Sequence, residues 1–170
     1  MTLVEGDLQI TFNNPLNARR FDDPRAHGLS HCMRAVDFIV EMQRHYQFIE
    51  LKDPRNPQTS VPSLQRFMDE FKSGVLDESL KYKFRDTFLY EWASGKATKP
   101  IDYFVIITGI PKPLLLQRHT ELRRKLPRLG PKGQRWRRPL VRRVGVFNIQ
   151  TWNLSFPNTP IIRLSSQSSV

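Results

Sequence analysis

Met33-Arg34-Ala35-Val36-Asp37-Phe38-Ile39-Val40-Glu41 and Tyr46-Gln47-Phe48-Ile49-Glu50-Leu51-Lys52 are the two stretches that decide how this chain folds. Both are rich in β-branched and aromatic residues, and a short polar link separates them, which predicts an antiparallel hairpin. With the loop centred on Gln43-Arg44, Glu41 falls opposite Tyr46, Ile39 opposite Phe48, Asp37 opposite Glu50 and Ala35 opposite Lys52. Period-two alternation then places Asp37, Glu50 and Lys52 on one face of the sheet. Ile39 and Phe48 lie beside those charges, while Val36, Phe38, Val40, Ile49 and Leu51 form the other face. Large apolar residues on both sides predict strands buried on both sides.

A solvated sheet face is the ordinary explanation for charges on a hairpin, and it conflicts with that double burial. Two carboxylates at one half-buried spot repel each other unless a cation lies between them. Asp37 and Glu50 are therefore candidate hard-oxygen ligands for Mg²⁺ or Mn²⁺, with the Leu51 carbonyl as a third ligand and water and a substrate phosphate completing the shell. Lys52 is the candidate for orienting or deprotonating an attacking water, or for stabilising charge in the transition state.

The strings "AVDFIVE" and "FIELKDP" carry Asp37, Glu50 and Lys52 in an order that resembles the PD-(D/E)xK nuclease superfamily. Val36 stands where that family often has a proline. Glu5 is the only near candidate for the extra metal-binding acid that such enzymes often carry on a helix before the first strand, and no Gln-x-x-x-Tyr element follows Lys52. The resemblance spans roughly residues 7 to 150. It implies an α/β fold with a restriction-endonuclease-like core, a central mixed β-sheet flanked by helices. It also implies a metal-dependent phosphodiester hydrolase, DNA endonuclease-like, in which Asp37, Glu50 and Lys52 are catalytic.

At 170 residues the chain is expected to form one nuclease-like domain over 1–164, with 165–170 as a flexible serine-rich tail. Leu8–Phe12 reads as the first strand, and Asn13 to Gly28 as a long loop or irregular arm able to lie across the active face. The prolines of Asp53–Ser60 predict a connecting loop. Helices are expected from Pro62 to Lys72, with Gly74 past its end, and from about Asp77 to Ser94. Leu76, Leu80, Phe84, Phe88 and Trp92, at intervals of four, are the predicted core stripe of the second. Ile101–Thr108 reads as a buried strand, Pro113–Leu126 as a helix, Val141–Ile149 as a strand, and Trp152–Leu164 as short extended pieces. A lone cysteine, Cys32, excludes an internal disulfide framework, and neither a secretory signal nor a membrane-length apolar run is visible, so a cytoplasmic location and no membrane contact are expected.

Charge is concentrated in one place. Between Lys112 and Arg143 there are twelve Lys or Arg residues and one acid, Glu121, so this segment alone accounts for the net charge of +11. Arginine dominates it, and its planar fork suits phosphate. The segment reads as a basic helix followed by an exposed arm, with Arg123, Arg124, Lys125, Arg128, Lys132, Arg135, Arg137, Arg138, Arg142 and Arg143 for phosphates and Trp136 for a base or sugar. DNA is the expected partner; a solvated loop, or a docking arm for an acidic protein, is the competing explanation. The alternative function is a catalytically weak or inactive nucleic-acid-binding subunit of a larger complex, and a homodimer is the other assembly considered. His27 and His31 have the wrong company for zinc. His45 is expected to be exposed in the hairpin link, Glu41 to share the charged face with Asp37, and Lys81, Lys83 and Arg85 to line a solvated helix face. No glycine-rich phosphate loop is present.

Overall fold

The computed structural model describes residues 1–126, 128–134 and 136–167. The hairpin is there, and its register is the expected one: β4 (Phe38–Glu41) pairs antiparallel with β5 (Tyr46–Lys52), Ile39 against Phe48 and Glu41 against Tyr46. The stretch expected to be a loop supplies an edge strand, β3 (Asn17–Arg20), antiparallel to β4, and a one-turn helix, α1 (Pro24–His27). After β5 the chain crosses over through α2 (Val61–Ser73) and α3 (Val75–Ala93) to β6 (Ile101–Ile107), which pairs parallel with β5. A second crossover, α4 (Lys112–Lys125), leads to β7 (Arg143–Phe147), parallel to β6. Parallel neighbours need such crossovers because a tight turn cannot join them. The result is a five-stranded mixed sheet in the order β3-β4-β5-β6-β7.

Local chemistry sets the element ends. Ser60 caps α2 by accepting from the Ser63 amide at 3.3 Å, Pro62 occupies the first turn, and Gly74, at φ 82°, takes the left-handed conformation that ends α2 and starts α3.

The C-terminal region departs from the expected extended pieces. Asn148 and Thr151 form a capping box that starts α5 (Ile149–Ser155), and only β8 (Ile161–Arg163) is extended. β8 joins β1 (Thr2–Glu5) and β2 (Leu8–Thr11) in a separate antiparallel sheet, order β1-β2-β8. The expected tail begins anchored, since Ser165 donates its amide to Asp7 at 2.9 Å and its hydroxyl to the same carboxylate at 2.6 Å. The rest of that tail, Ser168 to Val170, lies outside the described residues.

Both faces of the main sheet are covered. Ile39, Phe48, Tyr103, Val105 and Ile107 pack under α3 and α4 with Leu80, Phe84, Leu115 and Leu122. Phe38, Val40, Ile49, Leu51, Phe104 and Ile106 face the small sheet and α5, where Leu8, Ile10 and Trp152 are fully buried. The stripe of α3 corrects the sequence expectation. A strict interval of four drifts about 40° per step around a helix of 3.6 residues per turn, so Trp92 ends up 58% exposed while Thr87 and Glu91 are buried. Trp152, by contrast, sits among Phe104, Phe147 and Phe156 and donates its indole N–H to the Thr159 carbonyl at 2.6 Å. Trp152→Ala should therefore cost about 3–5 kcal/mol in urea unfolding; a loss below about 1 kcal/mol would show that α5 contributes little to this core.

Candidate active site

Strand register carries Asp37 and Glu50 to the same spot. Asp37 directly precedes β4 and Glu50 lies next along the ladder from the Phe38–Ile49 pair, on the face covered by α3. The Asp37 carbonyl accepts from the Phe21 amide at 2.7 Å, which holds its backbone against the end of β3. Asp37 Oδ2 accepts the Leu51 amide at 2.6 Å, tying the carboxylate to β5. The Lys52 carbonyl accepts from the Thr108 amide at 2.9 Å on the β6 side, so alternation turns the Leu51 carbonyl toward the Asp37 side of the strand.

Glu50 is fully buried. Its Oε1 lies 2.6 Å from Lys52 Nζ and 2.8 Å from Lys83 Nζ, close charge contacts that lack hydrogen-bond alignment, and Oε2 has no partner among the described residues. Lys83 Nζ is also 3.6 Å from Asp37 Oδ1 and 3.6 Å from Asp22 Oδ2. The cation required between the two carboxylates is thus an ammonium supplied by α3. Lys83 does not lie on a solvated face. It shares the inward side of α3 with Leu80, whose carbonyl accepts from the Tyr103 hydroxyl at 3.0 Å, and Thr87, whose hydroxyl accepts from the Val36 amide at 3.1 Å. The interval of four that placed Trp92 in the core also hid Lys83, because the real stripe runs through 80, 83, 84 and 87.

Electrostatics follow from this crowding. Burial first, then the neighbouring Glu50 charge, push the Asp37 carboxyl up to about 7 from an ordinary 3.8. Burial works to lower Lys83, but Glu50 and Asp37 outweigh it and hold the ammonium above its usual range. The buried Tyr103 hydroxyl is pushed well up by burial and by the same two carboxylates.

Two expected members lie elsewhere. Glu5 pairs with Arg20 at 2.8 Å. Glu41 is on the same face as Asp37 but at the far end of β4, where it accepts from Lys99 at 2.6 Å. His45 is half-buried rather than exposed, 3.7 Å from the buried Asp102, and His27 packs between Phe21 and Tyr90. Asp22, from the stretch expected to lie across the active face, does reach its rim, half-exposed. Nothing in its loop context marked it out. Among the described residues no three His, Cys, Asp or Glu side chains converge as a ready-made metal cage. The donor set that does fit a hard cation is two carboxylates, one with a buried unpartnered oxygen, and a strand carbonyl.

The basic segment starts at the site end of the sheet with Lys112, and α4 carries it to the other end. Arg142 and Arg143 both bind Asp102, at the start of β6, with contacts as short as 2.5 and 2.6 Å. From Asp102 to Ile107, level with Lys52, β6 runs roughly 17 Å. Several predicted contact residues are engaged internally: Lys125 with Glu78, Arg124 with Glu121 at 2.6 Å, and Arg138 with the Ala97 carbonyl at 2.6 Å. Arg118 is buried against Asp77 at 2.7 Å. Arg123, Arg128, Lys132 and Arg137 are exposed with no carboxylate in ion-pair range among the described residues, and Trp136 is 45% exposed. Arg135 lies outside the described residues. No helix among the described residues is long and apolar enough to cross a membrane.

No protein-family model matches this chain, and no match is found among the curated proteins or the solved structures.

Because Asp37 holds its proton up to about pH 7 in the folded state and only to about 3.8 when unfolded, its contribution to stability is complete below about pH 4 and lost as pH rises through 7. Asp37→Asn still accepts the Leu51 amide but cannot ionise. In metal-free buffer the variant should match the wild type near pH 4 and exceed it by about 1–3 kcal/mol near pH 8 in urea unfolding. A difference that does not change with pH would contradict this environment for Asp37.

Proposed function

We propose that this chain is a metal-dependent phosphodiester hydrolase, DNA endonuclease-like, built on a PD-(D/E)xK type of core. The observation that carries the proposal is the β4–β5 register, which brings Asp37 beside a fully buried Glu50 carrying an unpartnered oxygen, with Lys52 next on the same face. Asp37, Glu50 and the Leu51 carbonyl would hold Mg²⁺ or Mn²⁺. When bound, such a cation supplies charge for the non-bridging phosphate oxygens and acidity for a coordinated water. Lys52, 28% exposed in its side chain, faces both solvent and Glu50, where its ammonium can orient the attacking water and stabilise charge on the phosphate. Water oxygen would bond to phosphorus and release its proton to solvent, the phosphorus–oxygen ester bond would break, and the leaving oxygen would take a proton from solvent. Arg123 near the end of α4 and Arg128 and Arg137 beyond it would hold the nucleic acid backbone, positioning it without reading sequence.

One observation favours the second proposal, a nucleic-acid-binding subunit with weak or absent catalysis: Lys52 and Lys83 already balance Asp37 and Glu50 without any metal ion. Cleavage of plasmid and linear DNA with and without Mg²⁺ or Mn²⁺ separates the two. Glu50→Gln and Lys52→Met should each lower cleavage at least about 100-fold, with DNA affinity held within about threefold. A wild-type protein that binds DNA and cuts nothing with either ion would leave the subunit proposal standing.

Replacing Arg123, Arg128 and Arg137 with Gln should weaken DNA binding and reduce the slope of log K against log salt by about one counterion per lost phosphate contact. Trp136→Ala should cost a further 1–3 kcal/mol or so if the indole stacks on a base. An unchanged salt slope in the triple variant would point to an acidic protein partner instead.

A further inference from the structure

Lys83 Nζ occupies a position bounded by three carboxylates, 2.8 Å from Glu50 Oε1, 3.6 Å from Asp37 Oδ1 and 3.6 Å from Asp22 Oδ2. Two of these carboxylates are buried, and the third, Asp22, is half-exposed at the rim. The contact with Glu50 lacks hydrogen-bond alignment, and Glu50 Oε2 remains unpartnered among the described residues. This is a charge held in place by its surroundings rather than a well-formed bidentate pair. Lys52 separately contacts the same Glu50 oxygen at 2.6 Å.

A divalent ion added to this arrangement would meet two ammoniums around two buried carboxylates. Like charges a few ångströms apart in a site of low polarity are strongly unfavourable. One ammonium must leave, and the geometry distinguishes them. Lys52 has the same stem and a backbone held just as firmly, by β5, but no second carboxylate lies in ion-pair range of it among the described residues. Lys83 reaches in from α3 on a flexible four-carbon stem and already has an outward carboxylate, Asp22, on its solvent side. We propose that Lys83 is the resident cation of this site and yields its position between Asp37 and Glu50 to a divalent metal ion by turning outward to Asp22. The proposal rests on the metal-dependent function above and adds the device that keeps the metal-free protein neutral at its centre.

Binding of Mn²⁺, followed by the loss of the free-ion electron paramagnetic resonance signal, tests it on the full chain. Lys83→Met, which keeps the stem and removes the charge, should bind Mn²⁺ about tenfold or more tighter than the wild type, and its thermal unfolding should respond more steeply to Mn²⁺. Asp22→Asn, a change at an exposed loop, should weaken Mn²⁺ binding about threefold in the wild type and leave it unchanged in Lys83→Met, because the outward partner then has nothing to receive. If the wild type binds Mn²⁺ and cleaves DNA while Lys83→Met binds no tighter, the displacement is overturned and the hydrolase stands. If Lys83→Met does not fold even with Mn²⁺, an unaltered affinity in Asp22→Asn overturns the displacement by itself, and a weakened one supports it. If neither protein takes up Mn²⁺, both the displacement and the metal-dependent function fall.

Discussion

Charge neutrality in the buried space between β5 and α3 is the constraint on which the rest of this structure depends. Glu50 is fully enclosed, and Asp37 is nearly so. An isolated buried carboxylate carries a desolvation penalty of several kcal/mol. The fold meets it by bringing Lys83 from a helix, Lys52 from the same strand and the Leu51 amide from the backbone to one place. α3 is therefore more than a cover for the sheet. The bond from the Val36 amide to the Thr87 hydroxyl, one turn along α3 from Lys83, registers Lys83 against the β4–β5 end. Such a cluster is weak evidence for stability, since an apolar replacement of the same shape often folds as well. It lies at one end of a parallel pair of strands, beside a half-exposed rim at Asp22.

Asp102, another of the buried carboxylates, makes an instructive contrast. Asp102 accepts four hydrogen bonds from Arg142 and Arg143, and its pKa lies below the usual range: burial would raise it, but the two arginines outweigh that. All of its capacity is taken up, which makes it an anchor for the returning basic arm. Asp37 and Glu50 are left with a raised carboxyl and an unpartnered oxygen. One carboxylate is fully engaged, and the other pair keeps an oxygen without a hydrogen-bond partner among the described residues.

Much of this was legible in the chain because strand pairing is governed by a period of two. Once the loop centre is placed at Gln43-Arg44, every facing pair from Glu41–Tyr46 to Phe38–Ile49 follows, and so does the convergence of Asp37 with Glu50. Helical faces are less forgiving. A stride of four tracks a helix for two turns and then drifts, which put Trp92 inside and Lys83 outside when the structure has the reverse. β3 was hidden because Asn17-Ala18-Arg19-Arg20 has no apolar alternation; it is an edge strand held by pairing with β4, and Arg19 reaches the buried Glu91 at 2.6 Å. α5 was hidden for a different reason: Asn148 and Thr151 state its start, but a seven-residue helix offers too few turns for periodicity to register. The charge excess at Lys112–Arg143 was plain in the sequence, yet half of its meaning was not, because Arg118, Lys125, Arg138, Arg142 and Arg143 are employed within the fold.

Anomalous diffraction from crystals soaked in Mn²⁺ shows directly whether a cation enters between Asp37 and Glu50. A single strong peak is expected between the Asp37 and Glu50 carboxylates, near the Leu51 carbonyl, with the Lys83 side chain turned toward Asp22. A peak-free site, or Mn²⁺ bound elsewhere with the Lys83 ammonium still against Glu50, would contradict it.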